Sequence, residues 1–387
     1  MKKSALGVLF LTVVIDLLGF GIVLPLLPRY GRLYNASGLE IGMLMASFSA
    51  MQFLFATLWG KLSDRHGRRP LILLGLAGSV GSYLLFAFAN TYLLLLVSRI
   101  LAGIFAATIG TAQAYIADMT GRAGRGKGMA MIGAAFGVGF TLGPVFGWLT
   151  HDFLGPQWPG LAAAILSFIA LLVAWRKLPE PPTHVAREKR SLFDGRALRH
   201  AFSTPGIPLI IGVQVLATFC FAGLEGTLAL LTEDKWGQGI RGNGLLFTYV
   251  GFVLLVAQGW LVRKYLPKAG EKRFAQIGCV LLSAGMLGIA AGGAGLGWVL
   301  PVLAVAVLGF AMISPSMSSL LSLHTPADMQ GEILGVGQSG LSLSRIFGPF
   351  LGNIAFAVSP ETPYWIGGAL MVLAFVSAFS LRPAPAG

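Results

Sequence analysis

Apolar residues in this chain neither alternate nor recur every third or fourth position. They form continuous blocks of about 18 to 24 residues, separated by short polar stretches rich in Gly and Pro. A helix of that length crosses the ~30 Å hydrocarbon layer of a bilayer. Twelve such helices are predicted, over residues 5–28, 39–60, 70–89, 91–115, 128–150, 159–176, 206–231, 242–262, 273–293, 298–321, 332–356 and 363–381. The fold class expected is therefore an all-α membrane protein, and the short connections leave no room for a soluble domain. The longest polar stretch, "RKLPEPPTHVAREKRSLFDGRALRHAFSTPG", runs from Arg176 to Gly206. It divides the chain into a first bundle at 1–176, a cytoplasmic linker at 177–205 and a second bundle at 206–387.

Composition agrees with this pattern, and charge orients it. Of 387 residues only 11% are charged, against about 25% in soluble proteins. With the N-terminus placed inside, 22 of the 28 Lys and Arg fall in inner segments, and only Arg29, Arg32, Lys235 and Arg241 fall outside. That asymmetry predicts cytoplasmic termini. It accounts for the net charge of +13 without a nucleic-acid partner, anionic lipid headgroups being its natural neighbours. The opening "MKKSALGVLFLTVV" is read as a retained helix, not a cleaved leader: its apolar run is long, carries Asp16 and is followed by no small-x-small site. Cys220 and Cys279 both lie in apolar blocks and are read as packing residues.

The halves repeat one another. "FTLGPVFGW" places Gly143, Pro144 and Gly147 in the fifth block; "SRIFGPFLGN" places Gly348, Pro349 and Gly352 in the eleventh, 205 residues on. The inner loop "GKLSDRHGRR", Gly60 to Arg69, has a looser counterpart in "GWLVRKYLPKAGEKR". A parallel repeat of six helices is the pattern of a transporter that rocks two bundles about a midplane site. Gly60 and Gly67 are expected to permit a tight turn and close helix approach. Gly133, Gly137, Gly139, Gly143 and Gly147 leave much of one helical face bare for a neighbour's backbone, and Pro144 kinks that helix.

"GKLSDRHGRR" closely resembles the loop-2/3 signature of the major facilitator superfamily, through Gly60, Leu62, Asp64, Arg65, Gly67, Arg68 and Arg69. "DLLGFGIVLPLLP" from Asp16, "SRILAGIFAA" around Arg99 and "GAAFGVGFTLGPVFGW" resemble the first-, fourth- and fifth-helix motifs of its drug:proton antiporter branch with twelve spans. Within the branch, "GKLSDRHGRRPLILL" and "YIADMT" look most like tetracycline-efflux proteins. The resemblance implies two pseudo-symmetric six-helix bundles in a bacterial cytoplasmic membrane. It also implies a cytoplasmic gate: Asp64 facing the N-terminus of span eleven near Gly331, and Arg65 or Arg68 paired with Asp118. Gly137, Gly139, Gly143, Pro144 and Gly147 would form the antiporter motif. The chain departs from the tetracycline pattern at Ser82 and Leu282, where those exporters tend to carry acids, and at Arg263 in the second loop. The departure argues against tetracycline itself as the substrate.

Four ionisable residues lie well inside spans: Asp16, Arg99, Glu225 and Arg345. Asp16 is about 15 Å from the inner end of its helix and Arg99 about 12 Å from the outer end of its own. A charge at such depth costs at least ~2.5 kcal/mol and marks a functional site by default. One acid and one base fall in each half. The functional reading makes them the proton-coupling set; the alternative is two fixed ion pairs, Asp16–Arg99 and Glu225–Arg345. The family implies that spans 1, 4, 7 and 10 line the cavity, and Gln52, Gln113, Tyr115, Gln214, Phe219, Gln338 and Asn353 are candidate wall residues. No Ser/His/Asp set, metal-spaced cluster or nucleotide-binding loop occurs, so no enzyme activity, cofactor or metal is expected. The leading expectation is a monomeric, proton-coupled exporter of lipophilic small molecules. A transporter of a specific metabolite (a sugar or an amino acid) and a lysolipid flippase are the alternatives.

Overall fold

The computed structural model of the chain describes residues 2–106, 108–180, 195–293, 295–325 and 329–381. Helices dominate these residues and no strand occurs among them. They are α1 (Lys2–Val23), α2 (Leu27–Leu33), α3 (Gly38–His66), α4 (Arg68–Ala87), α5 (Tyr92–Ala106), α6 (Thr108–Leu154), α7 (Trp158–Lys177), α8 (Gly195–Ser203), α9 (Ile207–Trp236), α10 (Ile240–Val256), α11 (Arg263–Ala269), α12 (Glu271–Ala290), α13 (Leu296–His324), α14 (Gln330–Val358) and α15 (Thr362–Phe379). Eleven stretches among the described residues are long and apolar enough to cross a membrane.

Local chemistry sets the ends. α3 begins at a capping box, in which Ser37 Oγ accepts from the Glu40 N–H and Glu40 Oε2 accepts from the Ser37 N–H at 2.7 Å. Pro25 and Pro28 interrupt the first span, which passes through a 3-10 turn at Leu24–Leu26 before α2 resumes. The eighth block, expected as one helix over 242–262, instead passes through a π-helical turn at Ala257–Val262 and continues as α11. The expected break between 115 and 128 is absent. Helical backbone runs from Thr108 to Leu154, and Pro144 is the one proline inside it. The fifth expected span lies within this helix; Asp118 and Gln113 fall at positions whose side chains lie outside the described residues.

The chain groups into two compact units. The first comprises Met1–Glu40, Ser47–Arg190 and Gly239–Gly251; the second comprises Ile41–Ala46, Ser191–Gln238 and Phe252–Gly387. The first unit thus runs beyond residue 176 and takes in the start of α10. There Gly244 lies against Trp148, Gly251 against the Phe140 backbone, and Arg241 over the Trp148 ring at 5.5 Å.

In the first unit α1 and α6 touch backbone to backbone. A Cβ at Gly139 would come within 2.7 Å of Leu17 Cβ, one at Gly143 within 2.6 Å of Gly21 Cα, and one at Gly147 within 2.7 Å of Ile22 O. Only glycine fits such an approach. The second unit repeats the device. A Cβ at Gly348 would lie 2.6 Å from Phe219 O, and one at Gly226 would lie 2.9 Å from Pro349 Cβ. The offset of 205 that carries Gly143 to Gly348 also carries Gly21 to Gly226. Gly60 is different: a Cβ there meets nothing within 4 Å among the described residues.

Lys235, in the last turn of α9, pairs with Glu361 at the N-cap of α15 at 2.5 Å. Each charge sits at the helix end that favours it. The Lys235 ammonium first, and then the Ser359 hydroxyl, hold the Glu361 carboxyl down at about 2, from an ordinary 4.5.

Two predictions follow from this packing. Gly143→Ala is expected to cost about 1–3 kcal/mol through overpacking, whereas Gly60→Ala is expected to be neutral or to stabilise by up to about 1 kcal/mol. Detergent melting curves that rank the two the other way would refute the packing account. Because the folded carboxyl of Glu361 lies below its unfolded value, its contribution is complete above about 4.5 and is lost as pH falls through about 2. Glu361→Gln should therefore lower the melting temperature at pH 7, and the gap from wild type should narrow as pH drops below 4.5.

Candidate functional site

The two ionisable residues of the first unit's spans, Asp16 and Arg99, both lie against α4. Asp16 sits midway along α1, half-buried, and accepts a hydrogen bond from Ser79 Oγ at 3.2 Å. Its side chain lines a small pocket with Leu9, Thr12, Val13, Ile72, Leu76 and Ala112. That pocket is enclosed by α1, α4 and α6, within the bundle itself. One turn beyond Asp16, Gly19 leaves room for the Tyr83 hydroxyl, which a Cβ there would approach to 2.7 Å.

Arg99 lies on the far side of Tyr83. It is 1% exposed, and its guanidinium stands 5.9 Å from the centre of the Tyr83 ring and 5.2 Å from that of Phe86. Nε makes a long contact of 3.5 Å to Ser98 Oγ, and Nη2 has no hydrogen-bond partner among the described residues. Among the described residues no ion pair joins Asp16 to Arg99, so the fixed pair envisaged as an alternative does not form. Tyr83 stands between the two charges and feels both.

In the second unit Glu225 on α9 is half-buried and Arg345 on α14 is exposed. Each charge acts on the other, but no ion pair within 4 Å joins them among the described residues. Glu225 and Arg345 thus act on one another without a salt bridge, whereas in the first unit it is Tyr83 that feels both Asp16 and Arg99.

At the turn between α3 and α4, Arg68 pairs with Asp64 at 2.6 Å and donates to Ser63 Oγ at 2.5 Å. Arg65 is exposed. Gly67 takes φ +99°, the left-handed region that the turn between α3 and α4 requires. The expected partner Asp118, and the start of span eleven around Gly331, involve side chains outside those described. Gly139, Gly143 and Gly147 belong to the face of α6 turned to α1, Pro144 is buried, and the carbonyl of Gly137 accepts from Thr141 Oγ1 at 2.7 Å.

Three expected wall residues are instead buried in packing. Tyr115 is 0% exposed and donates to Pro179 O at 2.6 Å. Gln214 is 4% exposed and donates to Ser318 Oγ at 2.9 Å. Asn353 donates to Pro349 O at 2.8 Å and is buried as well. Each carries a polar group that must be satisfied inside the protein, which draws it inward. Gln52 donates weakly to Ala106 O at 3.4 Å, Phe219 is half-buried and Gln338 is exposed.

Sequence reasoning missed Ser79, Tyr83 and Phe86. With Ser82 they fall at i, i+3, i+4 and i+7 of α4. That is one helical face carrying polar and aromatic residues in an otherwise aliphatic block, and the spacing could have pointed to them.

Residues 9–349 match the family model described as Major Facilitator Superfamily. The chain is similar to Multidrug resistance protein 2 of Bacillus subtilis (strain 168), at 30% identity over 96% of this chain and 94% of that protein. It is similar to the class B tetracycline resistance protein of Escherichia coli, at 29% identity over 94% and 91% of the two chains. The crystal structure of the human organic anion transporter MFSD10 (TETRAN) superimposes with a TM-score of 0.74 at 26% identity, covering 97% of this chain and 99% of that one.

A buried cation with an unpartnered nitrogen is costly, and apolar replacement of buried charge is often neutral or stabilising by about 1–4 kcal/mol. Arg99→Met is therefore expected to leave the melting temperature unchanged or raise it. A marked fall would show that Arg99 is held by partners beyond the two rings.

Proposed function

The chain belongs to the major facilitator superfamily and is a transporter, not an enzyme, and from that premise we propose that it is a proton-coupled antiporter exporting lipophilic small molecules by alternating access. It works as a monomer in a bacterial cytoplasmic membrane, with both termini inside. Its two six-helix bundles, 1–176 and 206–387, rock about the linker at 177–205. Proton and substrate compete for the acids of the spans.

The observation that carries this reading is Asp16. It is a carboxylate at membrane depth, held by one neutral hydroxyl, free of any ion pair among the described residues and open to a small pocket. The protonation state of such a group depends on whether water or a cationic ligand reaches it. A permanently paired aspartate would have no such dependence. Glu225 stands in a comparable relation to Arg345, with no salt bridge to lock it. The similarity to the multidrug and tetracycline resistance proteins supports export as the direction.

A second reading, export of organic anions, draws on Arg99. Its buried guanidinium keeps Nη2 without a partner, and the human relative is described as an organic anion transporter.

The test is proton-driven uptake into inverted vesicles, with ethidium and tetracycline as lipophilic probes and fluorescein as an anionic one. Asp16→Asn is expected to lose at least about tenfold of gradient-driven uptake while exchange down a concentration gradient persists; Glu225→Gln is expected to lose less. Wild-type uphill rates in both variants would end the coupling hypothesis. Accumulation of fluorescein alone would favour the anionic reading.

A further inference from the structure

α4 begins directly at Gly67, which has no side chain with which to cap it, and no side-chain cap bond arises locally. The first N–H groups of a helix have no intrahelical partner and must find one elsewhere. Here they find it 112 residues away. Glu180 Oε1 accepts from the Arg68 N–H at 2.6 Å, and Glu180 Oε2 accepts from the Arg69 N–H at 3.1 Å. One carboxylate thus satisfies two backbone donors at the positive end of a 20-residue helix.

Three further observations converge on this contact. A Cβ at Gly67 would stand 2.7 Å from Glu180 Oε1, so the glycine is needed for the approach of the carboxylate as well as for its φ of +99°. Arg69 Nη2 donates to Trp175 O at 2.5 Å, near the end of α7. The Tyr115 hydroxyl donates to Pro179 O, the residue before Glu180. The segment that follows α7 is thereby tied to the α3–α4 turn and to α6.

We propose that Glu180 is a positioning residue for the inner turn between α3 and α4: its carboxylate caps α4 from the start of the linker, so that the turn carrying Asp64, Arg65 and Arg68 moves with α7 as one body during transport. This rests on the chain being a transporter of its family and not on proton coupling.

The test uses the full chain in lipid nanodiscs, without substrate. Hydrogen–deuterium exchange at the Arg68 and Arg69 amides is expected to rise about tenfold or more in Glu180→Ala and less in Glu180→Gln, which keeps one acceptor oxygen. Amides beyond residue 75 should be unchanged. Gly67→Ala should reproduce the local effect. Spin labels at Lys61→Cys and Lys268→Cys, with Cys220 and Cys279 replaced by Ala, are expected to give a broader distance distribution in Glu180→Ala at an unchanged melting temperature. Unchanged exchange at the two amides would overturn the proposal. So would a uniform rise across α4, α6 and α7, which marks general loosening, or a local rise with no change in the distance distribution, which leaves a cap without a positioning role. If Glu180→Ala does not fold, Glu180→Gln carries the same comparisons.

Discussion

A polar atom in a membrane-spanning helix has no bulk water to turn to, so it must find its partner inside the protein. Most side-chain placements seen in these two units follow from that constraint. Asp16 is drawn to Ser79, Gln214 to Ser318, and Asn353 to the Pro349 carbonyl. Thr227 bonds both its own helix and the Tyr364 hydroxyl. Arg99, with too many donors for its surroundings, settles between aromatic faces. Among the described residues the constraint leaves several groups short, Arg99 Nη2 and Asn353 Oδ1 among them, and gives Asp16 one neutral donor. An unmet demand at membrane depth is costly, and for Arg99 and Asp16, which also ionise, that cost motivates the working role proposed above.

Packing supplies the frame around them. Lipid offers no hydrophobic gain for bringing helices together, so close van der Waals contact must do it. In the first unit Gly139, Gly143 and Gly147 let α6 lie on the backbone of α1; in the second, Gly348 and Gly352 let α14 lie on α9. Asp16 and Glu225 sit on the two helices so gripped, within one or two turns of the contact. A carboxylate held on a helix that cannot shift along its neighbour keeps its depth, which a group exposed alternately to two sides requires.

The sequence made the spans legible because block length and charge asymmetry are coarse signals that no tertiary detail overrides. The glycine faces were legible for a similar reason: Gly143–Pro144–Gly147 recurs at a fixed offset, and only close approach needs it. Gly60 shows the limit, since a motif glycine in open space looks the same in sequence as one under pressure. Tyr115, Gln214 and Asn353 read as wall residues because polarity in a span suggests a cavity, yet a hydroxyl or amide can equally be spent on a neighbouring carbonyl. Which of these happens depends on whether an acceptor such as Pro179 O or Ser318 Oγ lies opposite, and that is set by contacts 64 and 104 residues distant in sequence. Ser79 and Tyr83 are not conspicuous in the sequence because neither ionises at ordinary pH, and within an apolar span it is charge that stands out.

The turns before α4 and α12 show how a repeat can keep a geometry and change the chemistry. Gly67 and Gly270 both adopt positive φ, and two residues after each a basic side chain reaches a carbonyl near the end of the unit's last helix, Arg69 to Trp175 O and Lys272 to Phe379 O. The anion at the helix start differs. In the second unit the first turn of α12 carries its own acid, Glu271, whose carboxylate accepts from Ser319 on α13. In the first unit the equivalent turn of α4 is basic, Arg68 and Arg69, and a like-placed acid is missing from it. Two positive side chains at the positive end of a helix dipole are unfavourable unless an anion is brought to them. Asp64 pairs with the Arg68 side chain, and the carboxylate of Glu180, carried back onto the turn by the connection after α7, meets the backbone donors of both arginines.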